Sequence, residues 1–294
     1  MKVLVTAAQG QVGHALTNRQ ADSALEIVSL SRSKLDITDP TSIQLAVDQF
    51  KPDVLVNAAA YTAVDKAESD QATAFLANAM GAENLAHTCQ QLGIPLIHIS
   101  TDYVYDGEKS VAYVEDDIAR PLNVYGASKL AGDQAIAASL DQYIILRTSW
   151  VFGQQGNNFV KTMLRLGKER DELGVIDDQH GCPTAAEDIA ATILCLCESI
   201  RTGKGDWGLY HYCGQPATSW YGFAASIFDR AKDMGFDLGV KVKPIPSRDY
   251  PTPAKRPKST ILDCNKIKTR YNIDQPDWRA RLDAIILAEC AGQK

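Results

Sequence analysis

Short apolar runs alternate with amphipathic segments along the first two-thirds of the chain. Most of the runs are continuously apolar, which is typical of strands that are covered on both faces. The predicted strands are 2–6, 26–30, 53–60, 95–100, 143–149 and 173–177, and the predicted helices lie near 11–21, 40–50, 65–91, 123–139 and 157–171. The segment 65–91 is long for one helix and is punctuated by Gly81 and Gly93, of which Gly93 is the expected C-terminal stop. This order predicts an α/β fold built on a doubly wound parallel sheet with right-handed crossovers.

The pattern changes after residue 178. Helices are predicted at 185–200, 219–235 and 277–290, and short strands at 209–213 and 240–246, with a proline-rich loop at 247–260. We therefore expect a dinucleotide-binding domain over 1–178. A smaller C-terminal substrate-binding lobe is expected over 179–294, and it can be interleaved with the first domain.

Composition narrows the class of protein. The 294 residues carry a net charge of −6, and 45% of them are hydrophobic, enough for a sizeable core. The acidic balance argues against a nucleic-acid partner, and the lack of a long apolar run argues against a membrane partner. The seven cysteines show no CxxC pair or Cys/His ligand spacing, so we expect free thiols and a cytoplasmic protein.

The segment "VTAAQGQVG" follows the first strand and opens the first helix. A Rossmann-like domain binds a dinucleotide pyrophosphate at this point, on backbone N–H groups. Gly10 and Gly13 fit that role, whereas Ala7 stands where a third glycine is expected. Alanine is acceptable there if its φ is negative, because only a positive φ strongly favours glycine. The alternative is an ordinary strand-to-helix turn.

The tip of the second strand bears on the choice between NADPH and NADH. Ser31 and Arg32 stand where a ribose-binding acid would be expected, and Arg32 can meet a 2′-phosphate, or it is simply an exposed charge. Asp36 follows a few residues later, where it can contact the adenine. We expect NADPH to be accepted, with NADH as an alternative.

The segment "NVYGASK" puts Tyr125 and Lys129 on one helix face, because residues i and i+4 are neighbours there. An ammonium near a phenol lowers the phenol pKa, so Tyr125 could exchange a proton with a carbonyl or an alcohol. Thr101, at the end of the fourth strand, could hold the same oxygen. Tyrosine and lysine at this spacing are more often a solvated helix face, but the glycine loop and Thr101 favour catalysis.

Five segments, "STDYVYDG", "NVYGASKLAGD", "LRTSWVFG", "GNNFVKTMLRL" and "YPTPAKRP", together resemble the extended short-chain dehydrogenase/reductases, from the N-terminus to about residue 290. The resemblance implies an oxidoreductase that reduces the C4 ketone of a dTDP-linked sugar with NADPH or NADH. It implies that Tyr125, Lys129 and Thr101 are catalytic. It further implies cofactor contacts at Gly10, Gln11, Val12, Asp36, Ile37, Ala60, Tyr61, Thr62 and Lys129, and nucleotide-sugar contacts at Thr101, Asp102, Tyr125 and Trp150.

Further contacts are expected beside these. Asn158 in "GNNF" offers an amide to the nucleotide sugar or caps a helix, and Arg256 in "TPAKRP" can grip a diphosphate or lie free in a surface loop. The family resemblance also implies that Mg²⁺ can be bound between subunits through glutamates, for which Glu187 is a candidate. A homodimer is the assembly to be tested.

Two other functions stay open from the sequence. One is an epimerase or dehydratase of the same fold, although no glutamate follows the pair Thr101-Asp102. The other is a non-catalytic, NADP-binding regulatory subunit of a methionine adenosyltransferase. Such a subunit would not need Thr101, Tyr125 and Lys129 together.

Overall fold

The computed structural model describes residues 1–19 and 25–291. The strands are β1 (Lys2–Val5), β2 (Glu26–Ser29), β3 (Val54–Asn57), β4 (Leu96–Thr101), β5 (Tyr143–Thr148), β6 (Val151–Phe152), β7 (Glu172–Ile176), β8 (His180–Gly181), β9 (Thr184–Ala185), β10 (Gly208–His211), β11 (Thr218–Ser219) and β12 (Lys241–Ile245). The α-helices are α1 (Gln11–Asn18), α2 (Pro40–Phe50), α3 (Val64–Ala67), α4 (Gln71–Phe75), α5 (Gly81–Leu92), α6 (Val124–Ser139), α7 (Phe159–Glu169), α8 (Ala186–Arg201), α9 (Trp220–Asp233), α10 (Asn265–Tyr271) and α11 (Leu282–Ala291).

Six parallel strands form the central sheet in the order β10-β5-β4-β3-β1-β2. The chain winds outward from β1 to β2 and then returns to the other side of β1 with β3. The prediction of a doubly wound parallel sheet is confirmed. In such sheets ligands bind beyond the carboxyl ends of the strands where the winding direction reverses, which here is between β1 and β3.

The sixth strand of this sheet is different from the predicted one. The run 173–177 does form a strand, β7, but β7 pairs with β12 in a separate two-stranded sheet. The place beside β5 is taken by β10, and a sequence pattern does not reveal which strands pair. The predicted first helix, 11–21, ends at Asn18, and its last two positions lie outside the described residues.

The predicted 65–91 helical segment is divided, as its length for one helix indicated. It consists of α3, α4, a π-helical turn at Leu76–Met80, and α5. Gly93 ends α5 in the left-handed conformation, with φ of 65°, which confirms the predicted stop.

The two predicted regions share their cores. One hydrophobic cluster joins residues of β1 and α1 to residues of α8 and β10. Another joins β6, α7 and β7 to α9 and α11. In both clusters, elements from before residue 178 therefore pack against elements from after it. The domain boundary at 178 stays a prediction. Within the described ranges, no helix has the length and apolarity needed to cross a bilayer.

Candidate active site

The glycine loop turns tightly between β1 and α1. The N–H of Gly10 donates to the carbonyl of Ala7 over 2.9 Å, and Ala7 has a φ of +53°. The condition under which alanine would be free of strain, a negative φ, is therefore not met: the turn keeps the left-handed backbone that glycine would adopt without strain. A side chain at Gly13 would place its Cβ 2.2 Å from the Ala7 carbonyl oxygen, so only glycine lets α1 lie this close to the loop.

These features fit a bound dinucleotide. Gly10 is the N-cap residue of α1 and has no side chain with which to cap it. Gln11 and Val12, in the first turn of the helix, line the main cavity. Backbone N–H groups at a helix start suit an anionic pyrophosphate, and the small residues Ala58 and Ala60 leave room along the end of β3.

Helix α6 is fixed at its first turn. The side chain of Asn123 accepts a hydrogen bond from the N–H of Gly126 over 2.8 Å and donates to the carbonyl of Lys255 over 2.9 Å. A Cβ at Gly126 would lie 2.1 Å from the carbonyl oxygen of Tyr103. The cap and the missing side chain let the helix start lie directly against the exit of β4, which positions Tyr125 and Lys129.

A cavity of about 660 Å³ lies at the carboxyl ends of the central strands. Its lining contains most of the residues that the sequence predicts to bind cofactor or substrate or to take part in catalysis. These are Gly10, Gln11, Val12, Ala60, Thr62, Thr101, Asp102, Tyr125, Lys129 and Trp150. Their roles in binding and catalysis stay predictions, but their placement around one space makes those roles possible together.

The electrostatics of Tyr125 differ from the sequence-based expectation. Burial raises the pKa of Tyr125 to about 12, and a hydrogen bond with Thr101 opposes that shift. Lys129 does not lower it, because its side-chain nitrogen is directed away, to 3.0 Å from Nε2 of His98 and 2.8 Å from the carbonyl oxygen of Ile99. Tyr125 is therefore protonated at neutral pH, as a proton donor must be.

Asp102 links Thr101 to the C-terminal part of the chain. Its two carboxylate oxygens accept hydrogen bonds from the hydroxyl groups of Thr101 and Thr260. Burial raises the pKa of Asp102 to about 7, against the effect of these two hydrogen bonds. The side chain is buried and lines the cavity beside Thr101, so it orients the Thr101 hydroxyl.

Trp150 forms the far wall of the cavity together with a residue that the sequence analysis missed. Its ring stacks on Trp220, with 3.5 Å between ring centroids and 5° between the planes. Trp150 has a φ of +45°, and a Cβ at Gly181 would come within 2.5 Å of its indole. The "SWYGF" segment that starts α9 gave only a helix signal, because its pairing with Trp150 arises from tertiary packing.

A smaller cavity of about 130 Å³ adjoins the end of β2. It is lined by Arg32, Asp36 and Ile37 together with Ala60. Arg32 pairs with Asp36, with 3.2 Å between Nε and Oδ2, and its side chain is 77% exposed. Tyr61 is held by Asn78, whose side chain accepts from the Tyr61 N–H over 2.8 Å.

Two further nominated residues lie outside this cavity lining. Arg256 grips the Asp65 carboxylate in two hydrogen bonds of 3.0 and 2.8 Å, so it is not a free surface charge. Asn158 caps α7 by accepting from the N–H of Lys161, and it also donates to the Gln11 side chain over 3.2 Å. Asn158 thereby ties the start of α7 to the glycine loop.

The expected magnesium contact has little support. Glu187 accepts a hydrogen bond from the N–H of Gln154. Among residues 1–19 and 25–291, no three His, Cys, Asp or Glu side chains are grouped to hold a metal ion. In the same part of the chain, the seven cysteines form no disulfide.

Known proteins resemble this chain over nearly its whole length. The family described as "RmlD substrate binding domain" matches residues 1–290. The dTDP-4-dehydrorhamnose reductase of Aggregatibacter actinomycetemcomitans is 45% identical over 97% of this chain and 98% of its own, and that of Escherichia coli K12 is 42% identical over 95% of each. A crystal structure of the Bacillus anthracis dTDP-4-dehydrorhamnose reductase in complex with NADP is 37% identical, with a TM-score of 0.89, over 98% of this chain and 99% of that one. The chain belongs to the RmlD family, the family of the dTDP-4-dehydrorhamnose reductases.

Proposed function

We propose that the protein reduces the C4 ketone of dTDP-4-dehydro-β-L-rhamnose to give dTDP-β-L-rhamnose, with NADPH as the reductant. The observation that carries this proposal is the single cavity that joins the glycine loop to Thr101, Tyr125 and Lys129. The names of the relatives supply the substrate.

The side chains divide the work at the ketone oxygen. NADPH, when bound, supplies the hydride for C4. Tyr125 is protonated at neutral pH and would donate its phenolic proton to the oxygen as negative charge develops there. Thr101 would hold the same oxygen once its one hydroxyl proton, which Asp102 accepts over 3.1 Å, turns to that oxygen. The N–H of Tyr103 donates to the Thr101 hydroxyl oxygen over 3.2 Å and keeps it in place.

The test is a reductase assay with the keto sugar generated in place. We expect NADPH to be consumed only when the sugar is present, and the product to have the mass and retention of the alcohol. An epimerase or dehydratase would convert the sugar without net loss of NADPH. A regulatory subunit would bind NADPH without turnover, and either result would refute the proposal.

We further propose NADPH rather than NADH as the preferred cofactor. The support is the exposed guanidinium of Arg32 at the smaller cavity, together with the NADP named in the Bacillus anthracis structure. Replacing Arg32 by Ala should raise the KM for NADPH about tenfold and change that for NADH little, because only NADPH carries a 2′-phosphate. Equal changes for the two cofactors would contradict this role.

The assembly and the metal requirement rest on the family resemblance alone. A homodimer, and Mg²⁺ bound through Glu187, stay predictions that light scattering with and without EDTA would decide.

A further inference from the structure

A buried histidine lies directly behind the lysine of the active site. His98, on β4, is only 1% exposed. Its Nδ1 lies 2.9 Å from Nδ2 of Asn57, and its Nε2 lies 3.0 Å from Nζ of Lys129. Nothing in the proposed reaction uses this histidine.

The orientation of the Asn57 amide is fixed by one backbone N–H group and one hydroxyl group. Its Oδ1 accepts from the N–H of Ala59 over 3.0 Å. It also accepts a hydrogen bond from the hydroxyl of Thr6 over 2.9 Å. The Thr6 hydroxyl must be the donor in this bond, because its oxygen already accepts from the N–H groups of Ala58 and Ala59. The amide nitrogen of Asn57 is therefore the atom that faces His98.

This orientation selects one tautomer of His98. An amide NH₂ group can only donate, so Nδ1 of the ring must accept. Burial is the larger cause that holds the pKa of His98 well below its usual value, and the charge of Lys129 in its ammonium form is the smaller one, so the ring is neutral with Lys129 in either form. A neutral imidazole that accepts at Nδ1 carries its proton on Nε2.

The Nε2–H group points at Lys129. An ammonium group has three donors and no acceptor, whereas an uncharged amine has a lone pair. The nearest carboxylate oxygen, Oδ1 of Asp133, is 4.0 Å from Nε2, which is too far for a hydrogen bond. Lys129 can meet both His98 and the Ile99 carbonyl, to which it donates over 2.8 Å, only as an amine.

We propose that His98 is a positioning residue for Lys129: its Nε2–H donates to Nζ, holds the side chain turned toward β4 and favours the amine form over the ammonium before ligands enter the cavity. Asn57, at the end of β3, selects the tautomer of His98, and Thr6, directly after β1, orients Asn57. The consequence for catalysis rests on the proposed function, because only there does the charge of Lys129 matter for Tyr125.

Burial brings the amine form of Lys129 within reach, although most of the lysine is still protonated at pH 7. Burial lowers the pKa of Lys129 to about 8, and the carboxylate of Asp133 opposes that shift. Asp133 is itself bonded by Nε of Arg147 over 3.1 Å, which weakens its pull on the lysine. The titratable groups that face Lys129 are thus His98 on β4 and Asp133 on its own helix, with Arg147 of β5 behind Asp133.

Nuclear magnetic resonance of the ligand-free protein tests both halves of the proposal. Nitrogen-15 spectra of the histidine rings should show His98, assigned by its loss in His98→Gln, protonated at Nε2 and unprotonated at Nδ1. The ¹³Cε signal of Lys129, assigned by its loss in Lys129→Arg, should titrate at about 8 or below in the unaltered protein. It should move up by about one pH unit in His98→Gln, because a glutamine carbonyl can accept from an ammonium.

The matched control is the other buried histidine of the sheet. His211 contacts Tyr105 and the Tyr113 carbonyl through its ring nitrogens, so His211→Gln should move the Lys129 titration by less than about half a unit. A proton on Nδ1 of His98, or the same Lys129 midpoint with and without His98, would overturn the proposal. If His98→Gln does not fold, the tautomer in the unaltered protein decides alone. These measurements need neither substrate nor cofactor, so they can fail while the reductase activity stands, or hold if it does not.

Discussion

The two ends of the main cavity each contain a residue with a left-handed backbone, but the two residues are held there differently. Ala7 lies at the end that we propose for the cofactor (the cofactor end) and has a φ of +53°, and Trp150 lies at the end that we propose for the sugar (the sugar end) and has a φ of +45°. Such a conformation costs an L-residue roughly 1–2 kcal/mol. The side chain of Ala7 is a single methyl group, whereas that of Trp150 stacks on Trp220 and covers Gly181.

The difference shows how each end is built. The glycine loop closes through contacts between residues a few positions apart, such as Gly10, Gly13 and Ala7. The sugar end is held by contacts between distant segments, as in the pairs Asp102 with Thr260 and Asp65 with Arg256. Strain at the cofactor end can therefore be removed by one local substitution, while strain at the sugar end is offset by long-range packing.

The largest expected effect is at the point where the two ends meet. Tyr125→Phe should lower kcat by about 10²–10⁴-fold, because the proton donor is lost, while NADPH affinity stays within about threefold. Stopped-flow turnover and fluorescence titration of NADPH measure the two quantities. Tyr103→Phe, whose ring lies 5.9 Å from that of Tyr125, is the control. Near-normal turnover in Tyr125→Phe would remove Tyr125 from the mechanism.

The second effect concerns Asp102, which ties the sugar end to Thr101. Its pKa is about 7 in the folded protein and 3.8 ordinarily, so the folded state binds more protons than the unfolded state between these values. The free energy of unfolding should therefore fall as pH rises from about 4 to about 7, by up to about 1.4 kcal/mol per pH unit.

Urea titrations across that range would show the slope, and Asp102→Asn should flatten it. Asp106→Asn is a suitable control, because the hydrogen bond from Tyr113 lowers the pKa of Asp106 and its titration falls below this range. A slope that is unchanged in Asp102→Asn would show that other groups cause it.

The third effect tests whether Arg256 serves the substrate or only the fold. Arg256→Gln should raise the KM for the nucleotide sugar about tenfold and lower kcat less, because a charge-assisted grip on the diphosphate is lost. Asp65→Asn keeps the guanidinium and should change the KM by less than about threefold. If both variants raise the KM equally, the ion pair itself is what matters.

The smallest effect concerns the two strained residues. Ala7→Gly should raise the free energy of unfolding by about 1 kcal/mol or less, because glycine relieves the positive φ but loses more chain entropy on folding. Trp150→Gly relieves the same kind of strain and should nevertheless destabilise the protein, since the stacked wall is lost. Thermal unfolding of the ligand-free variants measures both, and a stabilised Trp150→Gly would show that the stacking contributes little.

Features that depend on short-range geometry were predicted well from the sequence. Gly93 ends α5 as expected, and the continuous apolar runs identified five of the six central strands. The residues at the ends of β1, β3 and β4 come together because the carboxyl ends of parallel strands share one edge of a sheet. The sign of φ at Ala7 did not follow from the sequence, because the side-chain type does not fix the backbone when the rest of a turn requires one conformation.

The sequence by itself determined the parallel α/β fold, the glycine loop, and the spacing that sets Tyr125 and Lys129 on one face of a helix. Only the tertiary structure decided which strand completes the sheet beside β5, that Trp220 stacks on Trp150, and that Arg256 pairs with Asp65. It also decided the charge environment of Tyr125 and Lys129. Helical spacing places two side chains near each other, whereas their pKa values depend on burial and on partners such as His98 that come from other strands.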